Sequence, residues 1–147
     1  DTVSRFRVLP TDLDALGHMN NAKYFAFMDL GRLDQMFRAG LWETCSAQDW
    51  YSVVATQTIR YRSSLKPWQK FELHTRVIGF DDKAMYIESR FIRRGRVAAH
   101  AVAQARFLHK SGGDVSPADL QATFPEMPVL ALPEWVNTWA SAVRQGL

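Results

Sequence analysis

This chain is poor in several things, and each shortage removes a class of function. Among its 147 residues there is one cysteine, Cys45, so no intrachain disulfide staples the fold and a reducing compartment is expected. Histidine occurs four times, as His18, His74, His100 and His109. The last three fall on separate predicted strands or their ends, and no His/Cys/Asp spacing suits a metal ion, so no metal is expected. No apolar run reaches membrane-spanning length, and no basic-then-apolar leader opens the chain. Neither a membrane nor secretion is therefore expected, and the cytoplasm is the expected setting. The sequence starts at Asp1 rather than Met, which leaves room for a piece before it. Repeats and low-complexity stretches are absent. Excess charge is slight, with 18 Lys and Arg against 15 acids and a formal net charge of +3. That argues against a nucleic-acid partner but suits an anionic ligand such as a nucleotide-bearing cofactor.

What remains is an ordinary globular composition, 47% hydrophobic and 22% charged, of a length that predicts one domain over 1–147. A first strand is expected near residues 3–8 and is ended by Pro10. The spacing predicts a helix from Asn21 to about Ala39, stopped by Gly40. Its first two turns are apolar nearly all round, the mark of a helix covered on most sides. Residues 41–50 are expected to form a loop or short irregular helix. Alternation then predicts strands around 53–62, 71–77, 85–92 and 97–107, with Arg93-Arg94-Gly95-Arg96 as a tight hairpin turn. The alanines at 99, 101, 103 and 105 would let the helix approach the sheet closely. Ser116-Pro117 reads as a helix start, and a second tail helix is expected from Pro133. The class is α+β, a curled antiparallel sheet packed around one long central helix, with a core over about 3–110 and a helical tail over 111–147.

The densest chemistry lies in Asp12-Leu13-Asp14-Ala15-Leu16-Gly17-His18-Met19-Asn20-Asn21. Such a run of turn formers makes a strand-to-helix loop with helix caps. It also offers what a small active site needs: a carboxylate, amide hydrogen-bonders and a helix N-terminus.

The residues Asp12-Leu13-Asp14, Gly17-His18-Met19-Asn20-Asn21 and Tyr24, with Asp29-Leu30-Gly31-Arg32 further on, resemble the hot-dog fold. More closely, they are similar to the 4-hydroxybenzoyl-CoA thioesterase-like branch of acyl-CoA thioesterases. The resemblance covers the chain as far as about Lys110. It implies hydrolysis of an acyl-CoA, or an acyl-carrier-protein thioester, to a free acid and a thiol. Asp14 would be the catalytic carboxylate, as nucleophile or as general base for water, and the Asn21 N–H would polarise the carbonyl. Other hot-dog thioesterases place the carboxylate on the helix, which makes Asp29 a second candidate. His18, Asn20 and Tyr24 would bind or orient substrate, and Arg60, Arg62 and Lys66 would meet the phosphates of coenzyme A. No cofactor beyond the substrate's own coenzyme A is implied. A homodimer or homotetramer is, with the acyl pocket between subunits. A non-catalytic acyl-thioester binding protein of the same fold is the alternative.

Each sharp reading has a plainer one beside it. Asp29 with Arg32 has the spacing of a helix-surface ion pair. Arg93, Arg94 and Arg96 read as a solvated hairpin tip. Trp135 and Trp139 share a helical face suited to packing or to an oligomer contact. Cys45 has no general base near it in sequence.

Overall fold

The computed structural model describes residues 2–125 and 131–146. Strand β1 (Thr2–Arg7) leads through a single 3-10 turn (Pro10–Asp12) to the long helix α1 (Asn21–Arg38), then α2 (Leu41–Ala47). Four strands follow, β2 (Trp50–Tyr61), β3 (Lys70–Phe80), β4 (Met85–Arg93) and β5 (Arg96–His109). A two-residue strand β6 (Asp114–Val115) and helices α3 (Pro117–Thr123) and α4 (Glu134–Gln145) complete the chain. The strands form one antiparallel sheet in the order β1-β3-β4-β5-β2, with β6 added to β5. Among the described residues no helix is long and apolar enough to cross a membrane.

The concave face of the sheet receives α1. Tyr24 and Met28 pack with Leu73, Phe91, Ala99 and Ala101 around the first half of the helix. Met36 and Leu41 close a second cluster with Ile87, Ala105 and Phe107. Ala99 and Ala101 of β5 join the first cluster and Ala105 the second, but the backbone of α1 comes near β3 and β1 rather than the alanines of β5. The tightest approach, however, is at Gly31, where a Cβ would lie 2.8 Å from both Leu73 Cδ2 and Thr75 Oγ1. A methyl group there has no room, so glycine is set by packing and not by a turn.

Two expectations change. The helix is not covered on most sides within this chain: Leu30, Leu33 and Phe37 are exposed on its outer face, because the sheet curls past only one flank. Residues 41–47 form a regular helix, started by Gly40 at a φ of 70°, where a side chain would be strained. On α4 the face expected from Trp135 and Trp139 does pack, Trp139 against Tyr86 and Trp135 against His100 at 6.5 and 6.0 Å between ring centroids, with Val136 and Ala140 buried and Trp135 still 47% exposed. Alpha-helix α4 covers the convex face of the sheet over Ile78, Tyr86 and Val102. It is tied down by Arg144, which donates to Asp81 Oδ2 at 2.6 Å, the same oxygen that accepts the Tyr86 hydroxyl at 2.6 Å. These bonds hold the Asp81 carboxyl below its ordinary value against the opposing effect of burial.

On the convex face, Glu88 accepts from Arg76 Nε at 2.7 Å and pairs with His100 Nε2 at 3.0 Å. The His100 bond, then Arg76, outweigh burial and hold the Glu88 carboxyl down at about 2, against 4.5 in the open chain. A depressed carboxyl contributes stability above its unfolded value and loses it as pH falls through the folded one. Urea midpoints are therefore expected to drop between pH 4.5 and about 2, and Glu88→Gln is expected to flatten that limb.

Candidate active site

The loop between β1 and α1 is closed by its own backbone. Leu13 and Met19 form an isolated antiparallel bridge, and the Asp14 N–H donates to the His18 carbonyl at 2.8 Å. The Gly17 N–H returns to the Asp14 carbonyl at 3.2 Å, and Gly17 has a φ of 75°, which this tight turn requires. The Met19 N–H donates to the Leu65 carbonyl and the Asn20 N–H to the Asp12 carbonyl, at 2.8 and 2.7 Å. The loop is thereby fastened both to the β2–β3 connection and to the 3-10 turn.

The two loop aspartates divide the work. Asp12 is buried, accepts the Leu9 N–H on Oδ2 at 2.8 Å, and lies 3.5 Å from Lys23 Nζ. It is a structural clamp between the turn and the helix. Asp14 is exposed, and its Oδ1 accepts the N–H groups of Leu16 and His18 at 2.9 and 3.2 Å. Its Oδ2 has no hydrogen-bond partner among the described residues. One oxygen fixes the carboxylate in the turn while the other stays open.

Asn20 is the N-cap of α1, its Oδ1 accepting the Ala22 N–H at 2.9 Å while its carbonyl accepts Lys23 N–H at 2.9 Å. The loop's hydrogen bonds do not use the N–H of Asn21, the first helical residue, as expected where a helix has no preceding turn. That donor, at the positive end of the helix dipole, suits a developing oxyanion. Tyr24 lies one turn on, buried edge-on against Tyr61 and Phe91 at 4.9 and 5.0 Å between ring centroids. Burial pushes its phenol above the ordinary value; a backbone hydrogen bond from Leu65 opposes this, and Tyr61 and Asp14 add to the rise. Tyr24 therefore stays a protonated hydrogen-bonding group.

Asp29 belongs elsewhere. Eight residues separate it from Asn21, about 12 Å along the axis. Its carboxylate is paired with Arg32, the ion pair that the spacing alone suggests. Arg32 is 8% exposed, and its Nη1 has no hydrogen-bond partner among the described residues. Burial pulls the guanidinium down and Asp29 opposes it, so Asp29 compensates a buried cation. Both line a cavity of about 300 Å³ with Met36, Val54, Ile87 and Phe107, under the second half of α1.

Of the three cations expected at phosphates, only Lys66 reaches the loop. It shares a cleft of about 890 Å³ with His18, Ser63 and Ser64. Arg60 and Arg62 do not line it. The strand alternation that turns Ile59 and Tyr61 toward the helix side turns Arg60 to the outer face. In their place the cleft holds Arg93, Arg94 and Arg96, which the sequence suggests are only a solvated hairpin tip. The sole sequence signal for them is the density of arginine, since the contact with Lys66 joins distant segments.

Comparisons with known proteins place the chain in a family and a fold. A model of the thioesterase-like superfamily matches residues 8–139. Protein THEM6 of Xenopus laevis is 46% identical over 85 residues, 58% of this chain and 41% of that relative. The chain thus spans less than half of that protein's length. The crystal structure of YbaW, a probable thioesterase from Escherichia coli, superimposes with a TM-score of 0.80 at 19% identity, covering 86% of this chain and 98% of that one. BH1999, a gentisyl-coenzyme A thioesterase, gives 0.72 at 20% identity over 82% of this chain and 99% of that one. At such identities the likeness is one of fold: a curled antiparallel sheet around a central helix.

Proposed function

Because the chain belongs to the thioesterase-like superfamily, we propose that it hydrolyses an acyl-CoA thioester, with Asp14 as the working carboxylate and the Asn21 N–H as oxyanion donor. The observation that carries this is the free Asp14 Oδ2, on a carboxylate locked by its other oxygen, in the loop that delivers an unpaired helix N-terminal N–H. Asp14 attacks the carbonyl carbon, or takes a proton from the water that does. The Asn21 N–H stabilises the charge that builds on the carbonyl oxygen. The C–S bond then breaks and the sulfur leaves as thiolate, which takes up a proton; where Asp14 itself attacked, water then hydrolyses the mixed anhydride it has formed and releases the free acid. A thiol has a pKa of about 8.5, so it departs without a strong acid beside it. Tyr24 and His18 border the reacting groups, and Asn20 holds the helix end in place.

A panel of acyl-CoA substrates, read by release of free thiol, tests this. Turnover of at least one member supports it, and tight binding across the panel without thiol release would replace it with a non-catalytic acyl-thioester carrier. A thiol released only from acyl-carrier-protein thioesters would keep the chemistry and change the substrate. BH1999 acts on a CoA thioester by its name, which favours CoA here.

The assembly follows from what this chain leaves open. Strand β2 ends the sheet and, among the described residues, has no strand on its outer side, with Tyr51, Val53 and Val54 each at least 37% exposed. Leu33 of α1 lines one cavity with Val53 and Val54, and Leu30 and Phe37 are exposed on the same helix. An apolar edge strand next to an apolar helix face is a pairing surface, so at least a homodimer is proposed. Light scattering is expected to give a mass of at least twice the 16.8 kDa chain. Val54→Lys, which puts a charge on that edge, is expected to bring it toward the single-chain value.

A further inference from the structure

Positive charge gathers at the end of the sheet where β1 stops and β3 begins. A hollow of about 1200 Å³ there is lined by five cations, Arg5, Arg7, Lys70, Arg93 and Arg94, and by one carboxylate, Glu72. Glu72 is already engaged, by Arg5 at 3.5 Å and by His74 at 2.8 Å. The local excess of four charges is larger than the +3 of the whole chain, so the remainder is net acidic. The strand register adds a cost. Arg7 stands directly opposite Lys70 on β1 and β3, and Arg93 opposite Arg96 on β4 and β5, where like charges repel. Among the described residues none of these four is in an ion pair.

Apolar groups stand in the same rim. Trp68 lines the hollow and is 59% exposed, and Leu9 is 46% exposed. The Trp68 N–H donates to the Val8 carbonyl at 2.8 Å and the Val8 N–H to the Gln69 carbonyl at 3.0 Å, which fastens Trp68 to the segment that carries Leu9. Trp68 has a φ of 65°, at the third position of a turn closed by the Gln69 N–H on the Lys66 carbonyl at 3.2 Å, after Pro67. Glycine or asparagine suits that position, and a bulky aromatic there is strained. A large ring is thus held in water, at a conformational cost, within a frame of unpaired cations. The partner that answers both features is anionic at its surface and apolar just behind it.

We propose that this end of the sheet docks on a lipid surface, with Trp68 and Leu9 entering the headgroup region of an anionic leaflet while Arg5, Arg7 and Lys70 meet its head groups. Tryptophan settles at headgroup level, and basic side chains are drawn to an anionic leaflet. Two other occupants fit less well. A second copy of this chain, presenting the same face, would set cations against cations. A nucleic acid stacks successive bases on several rings, whereas this hollow offers one exposed ring, with Phe6 and Phe71 packed into the core. The contact is side-on, so the lack of a membrane-spanning run in the sequence has no bearing on it. The hollow shares Gln69, Arg93 and Arg94 with the cleft that holds His18, so docking sets the β1–α1 loop close to the leaflet. Docking requires no turnover, and it stands or falls apart from the proposed hydrolysis.

Co-sedimentation of the whole protein with lipid vesicles tests the proposal. Vesicles of equal parts phosphatidylcholine and phosphatidylserine are expected to bind it at least about ten-fold more tightly than phosphatidylcholine alone. Arg7→Gln/Lys70→Gln is expected to weaken that binding about 30-fold, the share of two basic side chains at an anionic leaflet. Trp68→Gly is expected to weaken it about ten-fold or more, as an inserted ring is lost. Trp68→Gly also relieves the strained φ, so its melting temperature is expected to be unchanged or higher, which separates lost docking from lost folding. Excess free CoA is expected to leave the bound fraction unchanged, because Arg7, Trp68 and Lys70 lie outside the cleft beside His18. Equal binding to the two kinds of vesicle, or binding that neither variant weakens, overturns the proposal. So does release of the vesicles by CoA, or a preference for a single-stranded oligonucleotide over them.

Discussion

Asp14→Asn is expected to lower kcat for the best acyl-CoA substrate about 10²- to 10⁴-fold, the range for loss of a positioned base or nucleophile. The substitution is nearly silent in structure. An asparagine side-chain oxygen still accepts the Leu16 and His18 N–H groups that Asp14 Oδ1 accepts at 2.9 and 3.2 Å. The turn survives, and what is lost is the ability of the second oxygen to attack or to take a proton. Melting temperature should therefore hold while turnover collapses. Asp29→Asn should give the reverse. It leaves the buried Arg32 guanidinium without its counter-charge, which costs stability, while the reacting groups stand about 12 Å away along the helix. Equal turnover in wild type and Asp14→Asn would remove Asp14 from the mechanism. A turnover loss confined to Asp29→Asn, with folding intact, would move the site onto the helix.

Phe91→Ala is expected to destabilise the fold by about 3–5 kcal/mol. The ring is fully buried on the concave face of β4 and contacts Tyr24 and Phe71 at 5.0 and 5.7 Å between centroids. Removing it deletes buried apolar surface and opens a cavity that α1 and the sheet can fill only by shifting. Tyr24 loses the wall behind it, so the first turns of α1 should loosen before the rest. Urea unfolding measures the total cost, and hydrogen exchange at the start of α1 locates it. A loss below about 1 kcal/mol would show that the aromatic cluster can repack, contrary to its tight interleaving. Ile92→Ala, at the next and only half-buried position, is the control expected to cost less.

Elements of this protein that rest on local periodicity were legible from residues alone. The strand pattern of β2 to β5, the long helix after Asn20, the Arg94-Gly95 turn and the Ser116 cap all depend on neighbours within a few positions. So does the Asp12–Asn21 loop, whose crowded turn formers must close on themselves and cap a helix wherever they are placed. The turn leaves room for the proposed site: Asp14 spends one oxygen on the turn and keeps the other.

Other features were settled only by packing. Gly31 reads as a weak point in a helix until Leu73 and Thr75 are found against it. Alpha-helix α4 could have been placed by its apolar residues on either side of the sheet, and long-range bonds from Arg144 to Asp81 and Tyr86 fix it on the convex face. Arg60 and Arg62 end a strand, yet neither lines the cleft beside His18, which Lys66 shares with Arg93, Arg94 and Arg96 of the β4–β5 hairpin.

By itself, then, the sequence determined the kinds of element, their order and the chemistry of the loop before α1, since these follow from interactions a few residues long. Only the tertiary structure decided which cations share a cleft with that loop, which carboxylate is committed to a buried arginine, and which apolar faces stay open. Those outcomes depend on segments far apart in the chain meeting in space, and residue spacing does not encode where such meetings occur.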